Sequence, residues 1–172
     1  MFGCGGLGLN VVQVAAMVGA RVVAVDIDPR KLATARELGA GATIDAREGD
    51  VAKRVRRETG GGADVAIEAI GRPPTQEEAV GSLRTGGRAI FLGSSAEPMT
   101  LQGGRVMYRE LSVIGTLGCR GVDFPVVLDL VRRGKLAVSP LVTHRHALSD
   151  INAGFDQLRR GEGIRHIVVL GA

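Results

Sequence analysis

The sequence predicts an α/β domain built on a doubly wound parallel sheet, and three observations carry that expectation. Apolar strand-like runs alternate with helix-period segments over most of the 172 residues. A glycine-rich turn, Gly3-Cys4-Gly5-Gly6-Leu7-Gly8, joins the end of one apolar run to the start of a helix. The next run, Arg21-Val22-Val23-Ala24-Val25-Asp26, is apolar throughout its middle and closes on an acid. Such a chain is long enough to bury a real core as one domain, but short for a two-domain enzyme.

Met1 and Phe2 read as the end of a first strand. Gly3, Gly5 and Gly8 fill the glycine places of G-x-G-x-x-G. The first permits a tight turn, the second lets a pyrophosphate approach the backbone, and the third lets helix and strand pack closely. Leu7, Val11, Val14, Ala15 and Val18 fall at helical spacing, and Gly19-Ala20 ends that helix. Its free N–H groups and positive dipole end would face phosphates. Residues 21–26 form the second strand. An acid at its end, about 20 residues beyond the glycines, can accept hydrogen bonds from ribose hydroxyls. Asp28 is the expected cap and Pro29 the first turn of a helix through Leu32, Ala35 and Leu38. Residues 42–45 make a third strand, and Val51 and Val55 mark the inner face of a basic helix ending at Gly60-Gly61-Gly62. Residues 64–68 are a fourth strand. A helix with Ala79, Val80 and Leu83 inward is expected to run to Gly86-Gly87, before strands at 88–92 and 111–116.

In the order 3-2-1-4-5-6 of a Rossmann-like sheet, ligands lie at the carboxyl ends of the strands. Loops 3–8, 26–29, 69–72 and 93–95 should therefore line one cleft, read as a dinucleotide site. The tail differs. Phe124, Val127, Leu128 and Val131 suggest an amphipathic helix, and residues 141–144 a short strand. Ile151, Phe155 and Leu158 suggest a helix that Ser149 could cap, and residues 164–170 a last strand. The expected division is a nucleotide-binding domain over 1–135 and a C-terminal segment over 136–172.

The formal charge of +4 gathers on Lys53, Arg54, Arg56 and Arg57 and on Arg132, Arg133 and Lys135. These read as solvated helix faces, because no nucleic-acid module or stacking aromatic set accompanies them, and no nucleic-acid partner is expected. Two distant cysteines suggest neither a disulfide framework nor a zinc knuckle. No signal peptide and no apolar run of membrane-spanning length is evident, so a cytoplasmic location without membrane contact is the expectation.

Beyond the glycine turn, several stretches resemble the cofactor-binding half of zinc-type, medium-chain alcohol dehydrogenases. They are Gly3-Cys4-Gly5-Gly6-Leu7-Gly8-Leu9-Asn10, Val25-Asp26-Ile27-Asp28, Leu38-Gly39-Ala40, and Asp64-Val65-Ala66-Ile67-Glu68-Ala69-Ile70-Gly71-Arg72. In the tail, Ile151-Asn152-Ala153-Gly154-Phe155 and Gly163-Ile164-Arg165 continue the likeness. The resemblance implies that Gly3, Gly5, Gly6 and Gly8 cradle NAD. Asp26 would bind the adenosine ribose and repel the extra phosphate of NADP, and Lys31 would reach the same ribose. Ile70 and Arg72 would flank the adenine, and Leu7 would press on the nicotinamide. Backbone groups near Ser94 and Thr116 would hold the carboxamide, and Arg165 would pair with the pyrophosphate. The edge strand around 112–118 would pair with its twin in a homodimer.

The family's zinc-assisted chemistry uses ligands from an N-terminal domain with no counterpart here. Cys4 and Cys119 do not match its ligand motifs, and His144, His146 and His166 lie in the tail. No catalytic residue and no metal ligand is therefore assigned. Zinc, and an alcohol or aldehyde substrate, are expected only in a longer form. Only two residues of the central first strand remain, which should leave ladder groups unpaired. The expectation is a truncated product, or one whose start was assigned at an internal methionine, that binds NAD but is inactive alone. Three alternatives compete. An NADPH-dependent quinone or enoyl reductase is disfavoured by Asp26, and a methyltransferase by the glycine spacing and tail. A non-catalytic nucleotide-binding module stays open. A short-chain dehydrogenase would need Tyr108 followed by a lysine at position 112, where Ser112 stands.

Overall fold

A computed structural model describes residues 1–171. Five strands run parallel in the main sheet: β1 (Val23–Asp26), β2 (Ala42–Asp45), β3 (Ala63–Glu68), β4 (Leu83–Phe91) and β5 (Ser112–Gly115). β1 pairs with β2, and β3 with β4 and β4 with β5. The two sets are joined by a single residue. Phe2 bridges Val25 on one side and Glu68 on the other, both in parallel. Gly3 N–H donates to Val25 O and Val25 N–H to Met1 O, each at 2.8 Å. Across the other edge Phe2 N–H donates to Ile67 O at 2.8 Å, and Ala69 N–H to Phe2 O at 3.0 Å. Counting Phe2 as the first strand, the order is the expected 3-2-1-4-5-6.

Val22, Val23, Ala24 and Val25 are all buried because the sheet is covered on both faces. Val23 and Val25 point into a core with Phe2, Ile44, Val55, Val80 and Leu83, while Val22 and Ala24 join Cys4, Leu9, Val12 and Leu32 on the opposite face. The helices α1 (Gly6–Met17), α2 (Pro29–Glu37), α3 (Val51–Glu58) and α4 (Pro73–Gly81) connect these strands. Asp28 caps α2 by accepting from Arg30 N–H, and Val51 and Val55 are the buried residues of α3, as the pattern implied.

The face of α1 needs correction. Its buried residues are Gly8, Leu9, Val12 and Gln13, whereas Val14 and Val18 are exposed. Val11, Ala15 and Val18 instead line a cleft of about 450 Å³. Its side walls are residues 21–23 of one edge and 63–67 of the other, with Val55 also lining it. Phe2 sits level with Val25 and Glu68, so this cleft continues the Phe2 ladder toward the start of β1 and β3. The apolar stripe of α1 faces this cleft.

Other boundaries also move. α4 stops at Gly81, and Leu83 begins β4 rather than closing the helix. Gly62 lies against Leu83 and Arg84 with no room for a Cβ, so the two strands meet one turn earlier than the Gly86-Gly87 punctuation suggests. A short α5 (Gly103–Tyr108), an element not expected from the sequence, forms between the strands at 83–91 and 112–115. The apolar stripe of α6 (Asp123–Arg132) is not an inward face: Phe124, Val127 and Leu128 are exposed.

In the tail β6 (Val142–Ala147) and β7 (Arg165–Val169) form a separate parallel pair beside α7 (Ile151–Arg159). Ser149 does not cap α7. A 3-10 turn over Leu148–Asp150 places Asp150 at the cap, and Ser149 Oγ donates to Asp150 Oδ1 at 3.3 Å. The tail is tied to α1 by Gln13, whose buried amide accepts from Ala137 N–H at 2.7 Å and donates to Ala137 O at 3.1 Å. Leu141 then seats in the core beside Cys4 and Leu9.

Candidate functional site: a glycine turn at the strand ends

Each glycine of the turn has a distinct steric reason. Gly3 holds φ +89°, which L side chains rarely adopt, and a Cβ there would lie 2.6 Å from Ile70 Cγ1. Gly8 packs directly on the Gly3 carbonyl with no room for a Cβ. Gly5 faces open space, with nothing within 4 Å of where its Cβ would stand. The turn is thus closed behind by protein and open in front. Gly5 is also the cap of α1 and offers no side-chain acceptor to the first N–H groups. A dinucleotide pyrophosphate fits this cradle chemically, because the cap leaves the first N–H groups of α1 without a side-chain acceptor and Gly5 leaves open space beside it.

Asp26 ends β1 beside this turn. Its Oδ2 accepts the Cys4 N–H at 2.6 Å and its Oδ1 the Asp28 N–H at 2.9 Å. Two backbone donors therefore aim one half-buried carboxylate beside the glycine turn. The Cys4 thiol is buried, and burial first, then the Asp26 charge, push its pKa up to about 12. Arg30 holds the Asp28 carboxyl below its ordinary range through a hydrogen bond and ion pair.

Arg165 comes from β7 in the tail, yet its guanidinium reaches the turn. A Cβ on Gly6 would lie 2.7 Å from Arg165 Nη2. Lys31 Nζ donates to Gly161 O at 3.4 Å, so residues 161–165 cross between α2 and the turn. Ile70 packs on Gly3, and Gly71, at φ +81°, lies against the Ser94 backbone with no room for a Cβ. Leu7 and Ile70 are 57% and 44% exposed, so neither is the ordinary core residue it could have been. Arg72 is exposed just before α4. Thr116 follows the end of β5 and donates its N–H to Phe91 O at 3.1 Å, at the end of β4. Glu68 and Gln13 belong to no motif that assigns them a role. Strand-end burial could have flagged Glu68, whereas Gln13 had no local signal.

Among the described residues no three His, Cys, Asp or Glu side chains form a group that could hold a metal ion. His144, His146 and His166 stack with rings 7° to 12° from parallel, and His146 Nε2 meets His166 Nδ1 at 3.0 Å. His144 Nδ1 faces Thr143 Oγ1 at 3.0 Å and His166 Nε2 faces Glu162 O at 2.9 Å, so the ring nitrogens are engaged with protein partners and the stacked rings do not fit a catalytic zinc. No helix among the described residues is long and apolar enough to cross a membrane.

A parallel doubly wound sheet with a glycine turn at the ends of its strands defines a Rossmann-like nucleotide-binding domain. The comparisons agree: residues 6–133 match the family described as zinc-binding dehydrogenase, and the chain belongs to that family. It is 32% identical to (R,R)-butanediol dehydrogenase of Bacillus subtilis over 160 residues, covering 92% of this chain and 46% of that protein. With L-threonine 3-dehydrogenase of Bacillus velezensis it shares 33% identity, over 94% of this chain and 48% of the other. The solved alcohol dehydrogenase of the archaeon Aeropyrum pernix superposes with a TM-score of 0.88 at 32% identity, over 98% of this chain and 48% of that one. The chain therefore spans about half the length of the relatives it matches.

Proposed function

We propose that this chain is the NAD-binding portion of a zinc-type alcohol dehydrogenase and does not turn over an alcohol by itself. The observation that carries the reading is the Asp26 carboxylate, held by the Cys4 and Asp28 N–H groups beside a turn whose Gly5 faces empty space. Bound NAD supplies the hydride-accepting ring, and in the whole enzyme an alcohol supplies the hydride. This chain's residues bind and orient. Gly3, Gly5, Gly6 and Gly8 give the backbone cradle, and Arg165 adds positive charge above it. Asp26 and Lys31 take the adenosine ribose, with Asp26 disfavouring the phosphate of NADP by like charge. Ile70 and Arg72 border the adenine, Leu7 backs the nicotinamide, and Ser94 and Thr116 lie toward its carboxamide.

Ser112–Gly115 is an exposed edge, which supports a homodimer through β5. Unpaired Cys4 and Cys119 support a reducing, cytoplasmic setting.

Calorimetry of NAD and NADP binding to the purified chain and to Asp26→Ala tests the reading. Saturable NAD binding, with NADP at least about tenfold weaker and the preference lost in the variant, is expected. Equal affinity for both nucleotides in the parent chain would refute the role given to Asp26.

A further inference from the structure

We propose that Glu68 is the positioning residue of this cleft, joining the loops that carry Ile70, Arg72 and Ser94 to the glycine turn. The proposal rests on the nucleotide-binding reading above and names a residue to which that reading gives no part.

Glu68 is fully buried at the end of β3, level with Phe2. Its Oε1 takes three donors at once: Ile70 N–H at 3.0 Å, Gly71 N–H at 2.9 Å and the Thr75 hydroxyl at 2.7 Å. Its backbone carbonyl accepts Leu92 N–H at 2.8 Å and Gly93 N–H at 3.1 Å. One residue therefore holds the 69–72 loop by its side chain and the 93–95 loop by its main chain. The two loops are also locked to each other, because Gly71 lies on the Ser94 backbone and Gly93 on Gly71, neither with room for a Cβ. Ile70 transmits the arrangement to Gly3, on which its side chain packs.

Packing alone does not ask for an acid here. A buried carboxylate is costly, and an apolar side chain of similar size would fill the strand end more cheaply. Oε2 shows that cost directly: it is buried without a partner, 2.8 Å from where a Gly93 Cβ would stand. What the acid provides is one acceptor for three donors of the loop facing the cleft. Glutamine can provide the same acceptor without the charge. Leucine provides none, and aspartate keeps the charge but falls one methylene short.

The test is NAD affinity by calorimetry, at a temperature well below the unfolding midpoint of each variant. Glu68→Gln should bind within about threefold of the parent chain, and Glu68→Leu at least about tenfold more weakly. Glu68→Asp carries the same tenfold expectation, and it decides the matter if the leucine variant does not fold. Amide exchange at Ile70 and Gly71 should quicken in the leucine and aspartate variants and stay slow in the glutamine variant. A purely structural Glu68 would lower the midpoint of Glu68→Leu or Glu68→Asp yet leave its NAD affinity within twofold, which would overturn the proposal. A parent chain that binds no NAD would overturn the nucleotide reading itself, and the positioning role with it.

Discussion

Cys4 sits inside the phosphate-facing turn, where a thiol invites the idea of reactivity. The structure argues the opposite. With a pKa near 12, set by burial and by the Asp26 carboxylate, roughly one thiol in ten thousand is ionised at pH 8. Cys119 is exposed. A disulfide-exchange reagent should therefore titrate one thiol in the native chain and both after unfolding, and Cys119→Ser should abolish the native reaction. Two fast-reacting native thiols would mean that the glycine turn opens in solution. The same scale shows what was legible. Gly3, Gly5, Gly8 and Asp26 could be read because a short local geometry demands each of them. The donors that aim Asp26 are backbone N–H groups, which leave no trace in residue type. Glu68 was visible only as a strand end, and the tie from Gln13 to Ala137 joins residues 124 positions apart, beyond any periodicity.

At the scale of elements, two glycines of one turn should behave differently. Gly5 holds φ −78° and faces open space, so Gly5→Ala meets no clash and should cost urea-unfolding stability no more than about 1 kcal/mol, the loss of a glycine cap. It should still weaken NAD binding, because the added methyl enters the ligand's space. Gly8→Ala drives a Cβ into the Gly3 carbonyl and should cost about 1–3 kcal/mol by parting α1 from the strand end. Equal destabilisation by both would show that the turn is closed by packing and leaves no cradle. The alternation of strands and helices was legible because each strand is a short apolar run between glycine or acidic punctuation. The faces were less so. Val11, Ala15 and Val18 make a correct helical stripe, but it fronts the open cleft, while Leu9 and Val12 enter the core. The stripe on α6 is likewise real and uncovered among the described residues. Periodicity reports that a face is apolar, and only tertiary structure says what lies on it.

For the whole molecule, the decisive feature is that one residue, Phe2, joins two halves of a sheet above an open apolar cleft. The Met1 amino nitrogen is partly buried at the cleft and donates to Val23 O at 2.8 Å, continuing the ladder of Phe2 along β1. Burial lowers that ammonium from its usual value near 8 to about 6. The sign of the consequence is fixed by proton binding. Between these values the unfolded chain holds more protons than the folded one, so stability rises with pH across that window. The gain is complete above about pH 8 and lost as pH falls through 6, and its size is on the order of 2–3 kcal/mol. N-terminal acetylation should flatten the slope, since an amide donates to Val23 O without carrying charge. Adding four valines ahead of Met1 should flatten it too, and should also fill the cleft from the level of Val23 and Ala66 back to that of residues 20 and 63. At about 2–4 °C per kcal/mol for a chain of this size, the midpoint should rise by more than about 5 °C. A Lys-Pro-Glu-Pro extension removes the same charge but cannot make ladder bonds or bury its side chains, so it should flatten the slope without that rise. If both extensions raised the midpoint alike, relief of the buried charge would account for the whole effect. The cleft would then not be a place for a strand.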